Sequence, residues 1–205
     1  SAWAKFAKNK PDAKLYLHTE PTPMYQGLNL PKLCGELGIS DKVMFPDRYE
    51  YFIGLPAEYL SFIYNSANIL MAAAMSEGFG IPIIEAQACG TPVIVTNFSA
   101  MPELVRYGDI IDVATKVWTP LEAFQAFPDQ GQIQDSLEDN YIEWLDNGKQ
   151  KNFDEGIKAS EKIQEEYSWD LIVKDYWKPL FENLHSKIFK QTPISSPIKS
   201  GKVIP

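Results

Sequence analysis

The chain has 205 residues, 45% of them apolar and 22% charged, enough for one α/β domain with a sizeable core. A net charge of −8 argues against a nucleic-acid or anionic-membrane surface, because both need clustered Lys and Arg. No apolar run approaches the ~20 residues that span a bilayer, and no signal peptide is visible. The two cysteines, Cys34 and Cys89, have no metal-site spacing, read as reduced thiols and fit a cytoplasmic setting.

In chain order, Trp3, Phe6 and Ala7 fall at helical spacing until Asn9-Lys-Pro-Asp stops the helix. Lys14–His18 reads as a short strand and Thr19–Gly27 as the loop after it. Leu30, Leu33, Cys34 and Leu37 predict an amphipathic helix ended by Gly38. Val43–Phe45 is the next strand, followed by an expected polar loop over Pro46–Glu50. Pro56 opens a helix with Tyr59, Leu60, Ile63 and Tyr64 on one face. Asn68–Ala74 is an apolar run compatible with a strand buried on both faces. Further on, Met101–Val105 predicts a short helix and Asp109–Val113 a strand, while Trp118–Gln132 reads as an aromatic-rich loop or short helix. Helices are expected at Gln134–Asp146, Lys151–Tyr167 and Trp169–Phe189. The last carries a stripe of Trp169, Val173, Tyr176, Trp177, Leu180, Leu184 and Ile188 that reads as core packing. Residues 191–205, rich in Pro and Ser and without period, read as a mobile tail. Strands alternating with helices predict a parallel sheet covered on both faces, with ligands at the carboxyl ends of its strands.

Between the apolar run and the next strand lies Ser76–Thr96, SEGFGIPIIEAQACGTPVIVT. Gly78 and Gly80 permit a sharp turn and a close ligand approach, and Pro82 suits the first turn of a helix. The N–H groups of Gly80, Ile81 and Ile83 are then expected to face an anion along the helix dipole, between the carboxylates of Glu77 and Glu85. Each acid alone has a plainer reading: Glu85 as a first-turn acid favoured by the dipole, Glu77 as a solvated loop acid. Glu103 reads as a helix-start acid, His18 as structural and Cys89 as a small packing residue on the inner helix face. Thr96, Asn97 and Ser99 either touch phosphate or only turn their loop. Asp47 and Arg48 either pair with each other or face a base.

The string E-G-F-G-I-P-I-I-E followed by A-x-A-C-G-T-P-V-I resembles the donor-binding half of retaining GT-B glycosyltransferases, within them family 4 (group 1). The likeness extends through V-M-F-P, I-Y-N-S-A-N, M-P-E-L-V and the S-W at Trp169, from residue 1 to about 189. It implies an α/β, Rossmann-like carboxy-terminal GT-B domain over residues 1–190 that lacks its first strand, with the tail at 191–205. It implies that Glu85 accepts hydrogen bonds from the ribose hydroxyls of the donor. Glu77 would sit at the catalytic centre, and Phe79, Gly80 and Ile81 would contact sugar or phosphate through their backbone. Pro46, Asp47 and Arg48 would lie beside the nucleobase. The donor would be a UDP-, GDP- or ADP-linked sugar, transferred with retention, with no metal or other cofactor required. The sequence has no Asp-x-Asp motif.

The resemblance also implies partners outside this stretch. The Arg and Lys that the family brings to the diphosphate, and the amino-terminal domain that binds the acceptor, are expected upstream. The chain opens on Ser1 inside a helix and reads as a piece of a longer protein, so alone it is expected to bind nucleotide weakly and to transfer no sugar. Two other functions fit part of this pattern. One is a non-catalytic nucleotide- or partner-binding module on the same half fold. The other is a phosphorylase or epimerase, although no Lys stands beside the glycine turn to hold a pyridoxal group.

Overall fold

The computed structural model describes residues 1–22, 27–147 and 150–190, so the expected tail at 191–205 lies outside the described residues. Two compact units emerge, Ser1–Ile163 and Gln164–Pro205. In the first, α1 (Ala2–Ala7) and β1 (Leu15–Tyr16) lead to α2 (Leu30–Glu36) and β2 (Val43–Met44). Then come α3 (Arg48–Ile53), α4 (Ala57–Ser66), β3 (Leu70–Ala72), α5 (Ile81–Ala88), β4 (Val93–Thr96) and β5 (Gly108–Ile111). A hairpin of β6 (Val113–Trp118) and β7 (Phe124–Pro128) precedes α6 (Gln130–Asn147) and α7 (Gln150–Tyr167).

The parallel pairing expected from strand–helix alternation is present, in two ladders. One joins β1 to β2 and the other runs β3-β4-β5 with β4 central. All four β4 residues are buried, as a strand covered on both faces requires. Its Ile94 packs with Trp3 and Phe6 of α1, Cys34 of α2, Ile111 of β5 and Ile133 and Leu137 of α6 in one apolar cluster. Lys10 closes that cluster's rim. Its ammonium lies 2.6 Å from Glu138 Oε2 and 4.5 Å from the centroid of the Phe6 ring. The close approach of β5 to β4 depends on Gly108, where a Cβ would fall 1.9 Å from the Val93 carbonyl oxygen.

Three expectations are corrected. Pro46–Glu50 is not a loop throughout: Asp47 caps α3, its Oδ1 accepting from the amides of Tyr49 (2.9 Å) and Glu50 (3.1 Å). Trp118–Gln132 holds half of an antiparallel hairpin and the start of α6, not a loop or short helix. The hairpin is held from outside its own sequence, with the Ala126 amide donating to the Met75 carbonyl at 2.8 Å. In the second unit, α8 (Trp169–Ile172), one turn of wider helix at Val173–Trp177 and α9 (Lys178–Lys190) form the expected helix. Its stripe is not core, for Trp169, Tyr176 and Ile188 are each more than half exposed.

Candidate functional site

The predicted turn and helix form as the sequence dictates. Gly80 takes φ 103° at the N-cap of α5 with Pro82 in the first turn. The space is as restrictive as the dihedral, since a Cβ there would sit 2.9 Å from Ile83 Cδ1 and 3.3 Å from Leu104 Cδ1. Gly80→Ala is therefore expected to cost ~1–2 kcal/mol from the disfavoured φ and the crowding. For a domain of this size that lowers the melting temperature by roughly 2–8 °C, which a thermal melt by circular dichroism reads directly.

One expected anion donor is already engaged. The Ile83 amide donates to the Gly80 carbonyl at 2.9 Å, so the anion-facing set narrows from Gly80, Ile81 and Ile83 to the first two. Around these amides, Glu77, Phe79 and Ile81 are exposed and Gly80 is buried. Glu77 is fixed through its backbone, its N–H donating to Ser99 Oγ at 3.0 Å. Ser99 has φ 54°, an uncommon conformation for a residue with a side chain, and it brings the loop after β4 onto the loop after β3. Thr96 is different: it is buried and its Oγ1 donates to the Ala74 carbonyl at 2.7 Å, so its hydroxyl ties strand ends together and does not face a phosphate.

Glu85 is half-buried on the second turn of α5. The Tyr64 hydroxyl of α4 donates to its Oε2 at 2.9 Å. Burial and this hydrogen bond push the Tyr64 phenol far above its ordinary value, so it remains a donor across the working pH range. The Cys89 thiol is also raised, first by burial and then by the Glu85 charge. Cys89, expected as a small packing residue on the inner helix face, is half-buried beside the carboxylate. Behind Glu85, Gln87 is fully buried and satisfies four backbone groups. Its Nε2 donates to the carbonyls of Ile83 (2.8 Å) and Leu104 (3.0 Å), and its Oε1 accepts from the amides of Arg106 (2.6 Å) and Tyr107 (2.9 Å).

Pro46, Asp47 and Arg48 stand at the carboxyl end of β2, on the other ladder. Asp47 and Arg48 do not pair with each other. Asp47 caps α3, and Arg48 Nε lies 3.5 Å from Oε1 of Glu20, in the loop after β1. Among the described residues neither buried Glu20 carboxylate oxygen has a hydrogen-bond partner, a desolvated acid that its sequence context does not reveal. His18 meets the Tyr16 hydroxyl through Nδ1 (3.1 Å) and the Tyr51 ring edge-on, as a structural histidine does. Sequence reasoning missed Tyr64, Gln87 and Glu20 as parts of the site. Tyr64 reads as one more residue on an apolar helix face, and nothing in the sequence pairs it with an acid 21 positions later.

The sequence profile described as "Glycosyl transferases group 1" matches residues 2–120, more than half of the chain. A D-inositol 3-phosphate glycosyltransferase of Mycolicibacterium gilvum (strain PYR-GCK) is 39% identical over 83 residues, which cover 39% of this chain and 17% of that protein. The O-antigen chain mannosyltransferase B of Escherichia coli is 41% identical over 51 residues, 25% of this chain and 13% of its own. These matches span less than a fifth of either relative. Among solved structures, sucrose-phosphate synthase from Thermosynechococcus elongatus superposes with a TM-score of 0.63 at 20% identity, over 93% of this chain and 42% of that one. The C-terminal domain of a glycosyl transferase group 1 family protein from Francisella tularensis gives 0.59 at 20% identity, over 82% and 76%. Those likenesses establish the α/β fold, shared with GT-B glycosyltransferases. Together with the profile match across the glycine turn, α5 and both ladders, they lead to one conclusion: the chain belongs to the group 1 glycosyl transferases.

Proposed function

We propose that this chain is the donor-binding domain of a retaining glycosyltransferase resembling family 4, which takes a sugar from a nucleotide-sugar. The observation that carries the reading is the arrangement at α5. A left-handed Gly80 opens the helix, Glu77 stands exposed on one side of the turn, and Glu85 is held by Tyr64 on the other. A carboxylate offers paired acceptors to the two donors of a vicinal diol, which suits Glu85 to the ribose. The Gly80 and Ile81 amides, at the positive end of the helix, suit the diphosphate. Glu77 then lies towards the transferring sugar, where negative charge supports the cationic character that develops at the anomeric carbon. In the reaction the bond from that carbon to the diphosphate oxygen breaks with its electron pair left on that oxygen, an acceptor hydroxyl oxygen bonds to the carbon, and the acceptor's proton passes to the departing diphosphate. No metal or resident cofactor enters this scheme. Pro46, Asp47 and Arg48 are assigned to the side of the base.

Saturation-transfer NMR with UDP, GDP and ADP in turn tests the assignment. At least one nucleotide is expected to receive saturation, most strongly at its ribose protons. Absence of transfer to all three at millimolar concentration would refute it.

A further inference from the structure

Glu85 is held on one side only. Oε2 accepts from the Tyr64 hydroxyl at 2.9 Å, while Oε1 has no hydrogen-bond partner among the described residues. Tyr64 is itself anchored, because its backbone carbonyl accepts from the buried Thr91 Oγ1 at 2.8 Å, at the corner where α5 gives way to β4. The phenol therefore reaches Glu85 from a fixed base. A glutamate on a helix otherwise spreads over several rotamers, and a ligand that needs one of them must select it on binding.

We infer that Tyr64 is a positioning residue for the donor nucleotide: it holds the Glu85 carboxylate in the orientation that leaves Oε1 and one lone pair of Oε2 for the 2′ and 3′ hydroxyls of the ribose. The inference rests on the reading that Glu85 meets the ribose. It goes beyond that reading in making the recognition of the diol the work of a pair, one member from α4 and one from α5. The raised phenol supports it, since a hydroxyl that does not ionise remains a donor to the carboxylate throughout the range in which the carboxylate is charged.

A purely structural role, tying α4 to α5, makes a different prediction, and a cycle of ligands separates the two. The chain and its Tyr64→Phe and Glu85→Ala variants are titrated by calorimetry with whichever of UDP, GDP and ADP binds most tightly, and with its 2′,3′-dideoxy counterpart. Tyr64→Phe is expected to weaken the ribonucleotide about fivefold to twentyfold, the loss of one charge-assisted hydrogen bond and of preorganisation. The dideoxy affinity should stay within about twofold. Unchanged ribonucleotide affinity, or an equal loss with both ligands, would overturn the inference. Placing 4-aminophenylalanine at position 64 keeps a donor and is expected to restore ribonucleotide affinity; failure to do so would overturn it as well, even were Tyr64→Phe not to fold. If Glu85→Ala removes the preference for ribose and Tyr64→Phe does not, only the role of Tyr64 fails. If Glu85→Ala leaves the preference intact, the ribose reading itself fails and the Tyr64 inference with it.

Discussion

Replacing Glu85 by alanine is expected to weaken nucleoside diphosphate binding about tenfold to a hundredfold while leaving the fold intact. The magnitude follows from the loss of up to two charge-assisted hydrogen bonds, each worth ~1.5–3 kcal/mol and partly offset by water. The fold is expected to tolerate the change because Glu85 is only half-buried and its carboxylate has one hydrogen-bond partner among the described residues, the Tyr64 hydroxyl. Glu85→Gln adds a local control. Cys89 is raised partly by the Glu85 charge, so neutralising that charge moves the thiol down towards its ordinary value. Alkylation of Cys89 near neutral pH should then be faster in Glu85→Gln than in the parent chain. Equal rates would mean that the carboxylate does not sit beside the thiol.

Replacing Gln87 by alanine is expected to be the most damaging single change to stability in the site. The side chain is fully buried and its four bonds join α5 to the segment at Leu104–Tyr107. Truncation removes the acceptor of the part-buried Arg106 and Tyr107 amides and the donor to the Ile83 and Leu104 carbonyls, at ~1–3 kcal/mol for each group left unmet, and leaves a cavity. The sum is ~3–5 kcal/mol, a large share of the stability of a domain this size. Chemical denaturation should show it as a lower midpoint. Gln87→Leu, which keeps the volume and removes the bonds, is expected to lose nearly as much; recovery of most of the stability in that variant would assign the effect to the cavity instead. The consequence reaches the turn, because Leu104 packs where a side chain at Gly80 would have to go. A loosened Leu104 leaves Gly80 and its amide less well placed.

The parts of this fold legible in the sequence are those decided locally. Val93–Thr96 is apolar without interruption and is buried on both faces. Gly80 and Pro82 mark the start of α5, and Gly90 and Pro92 its end. The helix at Arg48–Ile53 is hidden because none of its residues is buried and no apolar stripe shows. Its mark is the Asp47-x-x-Glu50 spacing of a capped N-terminus. The hairpin at 113–128 is hidden for a different reason. Pro120 and a positive φ at Glu122 fall in its turn, and its base is secured by Met75, which is remote in sequence. The same division runs through the site. Glu77, Gly80 and Glu85 are visible as a spaced motif. Tyr64, Gln87 and Glu20 matter through contacts with distant backbone or side chains, and periodicity carries no trace of such contacts. The exposed stripe on Trp169–Lys190 has the period of a packed helix, and period alone does not say whether anything covers it.

The most direct test of the donor-site reading is a crystal structure of the chain with the tightest-binding of UDP, GDP and ADP. It is expected to show the ribose hydroxyls within hydrogen-bond reach of the Glu85 carboxylate, with Tyr64 still on Oε2, and the diphosphate at the amides of Gly80 and Ile81. A nucleotide bound with its ribose away from Glu85, or bound outside the Ser76–Glu85 turn, would contradict it.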